Sequence, residues 1–161
     1  MPAGSLTANV SLRDVVVGDL DVLFAHERDP EANRVAVTIA RDRAAFDAHW
    51  AKILADETRI EKAIVEGGIV VGRISCFRYE GLDSLGYWVA REHWGKRVVT
   101  RALGLLLEEI PHRVLHARVA TTNVASIRAL VRQGFVVTGH EHAPATDRFP
   151  ACEEAILVLN R

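Results

Sequence analysis

Residues 85–110 read LGYWVAREHWGKRVVTRALGLLLEEI, and this stretch decides the predicted fold. A strand-like run leads into a polar turn, after which apolar residues recur with helical spacing. Three cations, Lys96, Arg97 and Arg101, lie at the start of that helix. A helix N-terminus already carries partial positive charge and unpaired N–H groups, so cations are unfavourable there unless an anion such as pyrophosphate binds. The alternative is that all three are ordinary solvated side chains.

Composition indicates one globular domain, which we expect to span residues 1–161. Of the 161 residues, 49% are hydrophobic and 25% are charged, which is sufficient for a substantial core. The net charge of −1 provides no field for a polyanion, so we expect neither nucleic acid nor a membrane surface as a partner. No secretory signal or apolar span is recognisable, which predicts a cytoplasmic protein. Cys76 and Cys152 are expected to be free thiols, although the sequence does not exclude a disulfide between them.

The apolar pattern predicts the element order β-α-α-β-β-β-α-β-α-β-β. An antiparallel meander followed by a βαβ unit implies a mixed sheet with helices on its faces. In such a fold, ligands bind beyond the carboxyl end of a strand where a helix begins, which here is 90–97. The predicted strands are 10–17, 58–65, 69–79, 85–89, 114–119, 135–140 and 154–159.

Local signals define the helix ends. Asp19 is expected to cap the first helix, whereas 29–33 is expected to be a loop because Pro30 cannot continue a helical ladder. Asn123 is typical of an N-cap and Gly134 of a left-handed C-cap. The helix that starts at Asp42 is predicted to bury one face formed by Phe46, Trp50, Ile53 and Leu54.

Three segments resemble the GNAT superfamily of N-acetyltransferases, nearest the branch of ribosomal-protein N-terminal acetyltransferases. This resemblance implies a single GNAT-like domain of the α/β class (α+β type), with a mixed, mostly antiparallel sheet and helices on both faces. The predicted order of strands and helices matches that of the family over nearly the whole chain. The segments are Gly86-Tyr87-Trp88-Val89-Ala90 with His93-Trp94-Gly95-Lys96, then Thr100-Arg101-Ala102-Leu103, and finally Asn123-Val124-Ala125-Ser126 with Gly134-Phe135.

The resemblance implies acetyl-CoA as co-substrate and an amine as acceptor, with no metal. The pantetheine arm would pair with the strand edge at Trp88, Val89 and Ala90, and Asn123 would touch the same cofactor. Ser126 matches a serine proposed in relatives to protonate the departing thiolate, and the first turn of a helix favours a developing anion. The pyrophosphate would lie on the backbone N–H groups of Gly95, Lys96, Arg97, Val98, Val99 and Thr100.

The sequence departs from the family pattern at four positions. Arg97 stands where relatives have a small residue beside the phosphates, and Val99 replaces another small residue. Ser84 occupies the place of a glutamate that serves many relatives as the base, and Leu130 the place of a tyrosine found outside this branch. The base is therefore open, and the candidates by position are Glu141, His142 and His26.

Our leading hypothesis is an acetyl-CoA-dependent N-acetyltransferase that moves the acetyl group directly to a primary amine, either a protein N-terminus or a small molecule. An α-amino group, with a pKa of about 8 against roughly 10.4 for lysine, needs less help from a base. A strand-edge N–H such as that of Val89 could bind the oxyanion. The alternatives are a non-catalytic acyl-CoA-binding or regulatory module on the same fold, and a relic that binds no CoA.

Several residues also have purely structural explanations. Asn123 is a good cap whatever the function, Ser126 suits any first helical turn, and Gly95 suits any tight turn. The alternating His140 and His142 lack an evident third metal ligand, so no metal is predicted.

The acceptor itself is not readable from the sequence. The regions expected to face it are the first two helices, 30–37 and 141–150. Arg28, Arg34 or Arg41 could meet an acidic substrate, but a solvated loop is the preferred interpretation. Homodimer formation through exposed strands is left open.

Overall fold

The computed structural model describes residues 9–111 and 113–161. Short 3-10 turns at Val17–Asp19 and Arg91–His93 precede the first and fourth helices. In chain order the elements are β1 (Val10–Asp14), α1 (Leu20–Glu27), α2 (Pro30–Ala36), α3 (Arg43–Ala55), β2 (Ile60–Glu66), β3 (Ile69–Tyr79), β4 (Leu82–Val89), α4 (Val98–Glu109), β5 (Leu115–Ala120), α5 (Val124–Arg132), β6 (Val136–Ala143) and β7 (Cys152–Leu159).

The seven strands form one sheet in the order β1-β2-β3-β4-β5-β7-β6. Neighbouring strands are antiparallel except for β4 and β5, which are parallel and share a single bridge between Ser84 and His116. Beyond that bridge β4 pairs with β3 alone, and β5 pairs with β7. The sheet is therefore open between β4 and β5, and the predicted mixed, mostly antiparallel sheet is confirmed.

Two apolar clusters cover the two faces of the sheet. Consecutive residues of β2 belong to different clusters, Ala63 to one and Ile64 to the other, as the alternation of side chains along a strand requires. The larger cluster packs α4 and α5 on the sheet, with Leu103, Leu106 and Leu130 fully buried. The smaller one packs α1 and α3 on the opposite face. Its members are Val15, Leu23, Phe46, Trp50, Ile53 and Ala63.

A helix, α2, replaces the loop that the sequence predicts around residues 29–33. Pro30 is its first residue, where the missing N–H costs nothing because first-turn N–H groups have no partner within the helix. The Asp29 carboxylate caps it by accepting from the backbone N–H of Glu31 at 2.9 Å. The prediction was wrong because it treated Pro30 as a helix breaker rather than as a helix start.

The first strand and first cap also differ from expectation. β1 ends at Asp14, and Asp19 does not cap α1 through its side chain. Instead the Asp19 carboxylate forms two 2.8 Å hydrogen bonds with the Arg13 guanidinium and accepts the Val16 N–H at 2.9 Å. The Arg13 hydrogen bonds lower the pKa of Asp19 below its ordinary value. A tertiary ion pair has therefore displaced the local cap.

The signals around α5 are confirmed. Asn123 caps the helix by accepting from the Ser126 N–H at 3.4 Å, and Gly134 ends it with a φ of +97°. Phe135 then turns into the core with 2% of its surface exposed. Cys76 and Cys152 are both free thiols.

The buried face of α3 is narrower than predicted. Phe46, Trp50 and Ile53 are buried, whereas Leu54 is 40% exposed. Helical spacing alone placed Leu54 at the edge of the apolar face, and the packing of α3 leaves it outside.

Ile53 and Leu54 allow a matched test of this packing. Ile53→Ala should lower the free energy of unfolding by about 2–4 kcal/mol because it opens a cavity in the smaller cluster. Leu54→Ala, one position further along the same helix, should cost less than about 1 kcal/mol. Urea denaturation measures both. Equal losses would contradict the orientation of α3.

Candidate active site

A cleft of about 390 Å³ opens where β4 and β5 diverge. Its walls come from α2, the carboxyl half of β4, the turn before α4, the first turn of α4, and α5. The cleft therefore lies where the sequence placed the ligand crevice, beyond the end of a strand at the beginning of a helix. The predicted site residues that line it are Trp88, Val89, Gly95, Arg97, Val98, Val99, Thr100, Asn123 and Ser126.

Two predicted site residues lie outside this lining. Ala90 is 4% exposed, and its N–H donates to the Val71 carbonyl oxygen of β3 at 2.8 Å. Lys96 is exposed beside the turn. The backbone N–H of Ala90 is thus already committed to the sheet.

The register of β3 and β4 directs the backbone of Val89 into the gap. Ala90 and Val71 are hydrogen-bonded opposite each other, so the next residue back, Val89, stands in a non-hydrogen-bonded pair with Gly72. Its N–H and carbonyl oxygen therefore point away from β3, toward β5. The indole N–H of Trp94 donates to that carbonyl oxygen at 2.9 Å, which ties the turn to the strand.

The turn before α4 has a left-handed backbone at two positions. Gly95 has a φ of +76°, and Arg97, the N-cap residue of α4, has a φ of +59°. A residue with a Cβ pays about 1–2 kcal/mol in this conformation. Arg97 therefore occupies a conformation that suits a residue without a Cβ. The N–H groups that follow, at 98–100, have no partner within the helix.

Two cleft cations were not predicted from the sequence. Arg128 and Arg132 lie four residues apart on α5, and both line the cleft together with Arg97. No aspartate or glutamate belongs to this lining. The i,i+4 spacing after a capped helix start was the signal that could have identified them. The cleft is therefore positive although the whole chain is nearly neutral.

Tyr87 and Ser126 join the two sides of the opening. The Tyr87 hydroxyl forms a hydrogen bond with Ser126 Oγ in which either oxygen can be the donor, and it lies 3.3 Å from the Ser126 carbonyl oxygen. Burial raises the pKa of Tyr87 to about 12, with the Ser126 hydrogen bond acting in the opposite direction. Tyr87 is therefore protonated at neutral pH. The contact between Tyr87 and Ser126 was not predicted, because nothing local in the sequence shows that β4 faces the first turn of α5.

The candidates for a base differ in their distance from the cleft. Glu141 and His142 lie on the edge strand β6, where Glu141 pairs with Arg118 and His142 Nδ1 lies 2.7 Å from Glu153. Neither lines the cleft. Ser84 is buried, and its hydroxyl donates to the Leu82 carbonyl oxygen, so it offers no base.

His26 is the candidate that lies near the cleft. Its carbonyl oxygen accepts the indole N–H of Trp88 at 3.1 Å, and its Nδ1 is buried without a hydrogen-bond partner. Burial lowers the pKa of His26, while the carboxylates of Glu92 and Glu27 act to raise it. A lowered pKa leaves the imidazole neutral at pH 7 and able to accept a proton. Within the described residues, no three His, Cys, Asp or Glu side chains are grouped as metal ligands.

An open mixed sheet with a positive cleft at a helix N-terminus fits the acetyltransferase class that the sequence predicts. The chain belongs to the GNAT acetyltransferase family, whose acetyltransferase (GNAT) domain profile matches residues 9–136. The predicted family is confirmed. A comparison with curated protein sequences finds no match. Within residues 9–111 and 113–161, no helix has the length and apolar character needed to cross a bilayer.

Solved structures show the same fold. A ribosomal-protein-alanine N-acetyltransferase from Brucella melitensis is 24% identical, with a TM-score of 0.76 over 94% of this chain and 99% of that one. A spermidine N-acetyltransferase from Vibrio cholerae in complex with CoA and spermine is 16% identical, with a TM-score of 0.78 over 93% and 94%. Mycobacterium smegmatis RimJ in complex with CoA-disulfide is 18% identical, with a TM-score of 0.73 over 95% and 82%. At these identities the likeness concerns the fold.

The left-handed conformation of Arg97 gives a stability prediction. Arg97→Gly should be more stable than Arg97→Ala by about 1 kcal/mol, because both remove the guanidinium but only glycine removes the Cβ. In a chain of this size the difference corresponds to a Tm higher by roughly 2–4 °C. Thermal unfolding of the two variants measures it. Identical Tm values would contradict the backbone geometry of this turn.

Proposed function

We propose that this protein transfers the acetyl group of acetyl-CoA directly to a primary amine, either a protein N-terminus or a small-molecule amine. The observation that carries the proposal is the cleft between β4 and β5, which is lined by three arginines and no carboxylate and borders the start of α4. That charge suits a pyrophosphate. When bound, acetyl-CoA supplies a thioester whose acetyl carbon bonds to the amine nitrogen as the C–S bond breaks, leaving a thiolate that takes up a proton.

Backbone and side chains would divide the binding of the cofactor. The N–H groups of Val98, Val99 and Thr100, with those of the turn from Gly95 through Lys96 to Arg97, would hold the pyrophosphate. Asn123 would contact the same cofactor, and Arg128 and Arg132 would meet its remaining phosphate charge. The pantetheine arm would follow β4 at Trp88 and Val89. Because the Ala90 N–H already donates to β3, its contact would be through other atoms.

The proposed acid is Ser126. It lies in the first turn of α5, where the helix dipole favours a developing negative charge. The Tyr87 hydroxyl, which stays protonated at neutral pH, can donate to Ser126 Oγ and leave the serine proton free to move to the leaving sulfur. Tyr87 is thus a positioning residue in this scheme.

One group must stabilise the negative charge that develops on the reacting carbonyl oxygen, and a different group must accept the proton of the amine. The Val89 N–H, which points into the gap, would stabilise the carbonyl oxygen as it becomes negative. His26 would accept the proton of the amine, because its backbone carbonyl oxygen binds the indole of Trp88 in the cleft wall and its imidazole is neutral at pH 7. An α-amine with a pKa of about 8 is partly deprotonated before it binds, so a single modest base is sufficient.

The central test follows thiol release from acetyl-CoA with a panel of amines and peptide N-termini. Ser126→Ala should lower kcat by roughly 10²-fold, as expected for a lost general acid, without changing the Kd for CoA. Thr122→Ala, an exposed hydroxyl just before the cap, is the matched control and should leave kcat unchanged. CoA binding without thiol release from any amine would instead support the non-catalytic acyl-CoA-binding module.

Arg97 allows a test of cofactor binding by calorimetry. If its guanidinium pairs with phosphate, Arg97→Gly and Arg97→Ala should both weaken CoA binding by about tenfold, the value of one charge-assisted hydrogen bond of about 1.4 kcal/mol. If the side chain instead crowds the phosphates, Arg97→Gly should tighten binding. An unchanged Kd in both variants would contradict the proposed role of this turn.

A further inference from the structure

A group of arginines lies on the sheet face opposite α4 and α5, outside the cleft. We call Arg41, Arg73 and Arg148 the arginine cluster; they come from the segment after α2, from β3 and from the loop between β6 and β7. Each is partly buried. Their positive charges are close enough to perturb one another, and Glu27 is the carboxylate that acts on them.

Arg73 connects the cluster to the cleft. It stands directly opposite Trp88 in the register of β3 and β4, so the two side chains are neighbours on one face of the sheet. Trp88 also lines the cleft. Arg73 Nε donates to Glu27 Oε1 at 3.0 Å, and its guanidinium lies 5.4 Å from the centre of the Trp50 ring. Arg73 is therefore fixed in place, and Glu27 compensates its charge.

Arg148 is held beside the segment that carries Arg41. The Ile39 N–H donates to the Arg148 carbonyl oxygen at 2.8 Å, and Arg148 Nη1 donates to the Ile39 carbonyl oxygen. Arg148 Nε is buried and has no hydrogen-bond partner. The preceding helix α2 lines the cleft through Ala32, Val35 and Ala36. Arg41 thus follows directly after a helix that forms one wall of the cleft, and Arg148 contacts the same segment.

The surrounding groups do not balance this charge. Burial, with the nearby arginines, lowers the pKa of His49 to about 4, so it is neutral at pH 7. Burial lowers the pKa of Arg148 to about 10, and Arg41 adds to the effect, so Arg148 is still charged. Arg59 is paired with Glu61 at 2.5 Å and contributes no excess. Arg41 and Arg148 therefore leave a partly desolvated surplus of positive charge, which is unfavourable without an anion.

We propose that the amine acceptor carries an anionic group, a carboxylate or a phosphate, that Arg41 and Arg148 bind while the amine reaches the cleft past Trp88. This inference rests on the proposed acetyl transfer and specifies the class of acceptor. Guanidinium groups suit both anions because they can donate two parallel hydrogen bonds. A polyamine would meet like charges here and is expected to be a poor acceptor.

The test compares acceptors that differ only in charge. An acidic amino acid and its amide form one pair, an amino-sugar phosphate and the free amino sugar form another, and spermidine is the cationic reference. We expect kcat/KM for the anionic member of at least one pair to exceed that of its neutral counterpart by tenfold or more. Which pair shows the difference identifies carboxylate or phosphate as the group bound.

Variants assign the preference to the cluster. Arg148→Gln and Arg41→Gln should each raise the KM for the anionic acceptor about tenfold, with kcat, the KM for the neutral acceptor and the Kd for CoA unchanged. Arg148→Lys should restore part of the loss. Arg34→Gln is the matched control, since Arg34 is an exposed arginine on α2 paired with Glu31, and it should change nothing.

The outcomes separate this inference from the proposed function. Turnover of neutral or cationic amines without any preference for anions overturns the inference alone. Equal effects of the Arg41 and Arg148 variants on anionic and neutral acceptors also overturn it. Failure of every amine to release thiol, in protein that is folded and binds CoA, overturns the proposed function and this inference together.

Discussion

β4 and β5 share a single bridge, and the cleft lies where the two strands separate beyond it. Parallel strands normally share a ladder of evenly spaced hydrogen bonds, and here the ladder stops after Ser84 and His116. The carboxyl half of β4 instead follows β3 closely. At Gly72 a Cβ would collide with the Trp88 carbonyl oxygen, so the approach of the two strands requires glycine. The gap that results exposes backbone groups of β4 that a continuous sheet would have paired.

The alternation of side chains along β4 then divides the site into two halves. Tyr87 turns to the face covered by α4 and α5, where it meets Ser126, and Trp88 turns to the face covered by α1 and α3, where it meets His26 and Arg73. Between them the Val89 backbone faces the gap. In the proposed site, the side chain of Tyr87 thus borders the cofactor half, the side chain of Trp88 borders the acceptor half, and the backbone of Val89 borders the reacting centre.

The features predicted correctly from the sequence are those determined locally. The cap at Asn123, the left-handed end at Gly134 and the helix after residue 97 each depend on residues within one turn, and together they carried the family assignment. Asp19 was misinterpreted because it pairs with Arg13, six residues away, instead of capping the helix. Pro30 was misinterpreted because a proline in the first turn of a helix resembles a helix breaker. In both cases the residue type allowed two local structures.

The parts of the site that could not be predicted depend on strand order and on long-range contacts. Glu141 and His142 were plausible as bases until the order β5-β7-β6 placed their strand at the edge of the sheet. Tyr87 and Ser126 are 39 residues apart, and Ile39 and Arg148 are 109 apart. No periodicity connects positions at such separations. They come together only because of the strand order and the packing of the folded chain.

The distribution of charge in the fold could not be predicted from the net charge of the sequence either. The net charge of −1 concealed two local surpluses of positive charge on either side of β4. One lines the cleft at α4 and α5. The other lies at Arg41 and Arg148, since Glu27 compensates the charge of Arg73. In the proposed scheme a nearly neutral acetyltransferase presents positive charge to both of its substrates, and Trp88, next to Arg73 and part of the cleft wall, lies where the two regions meet.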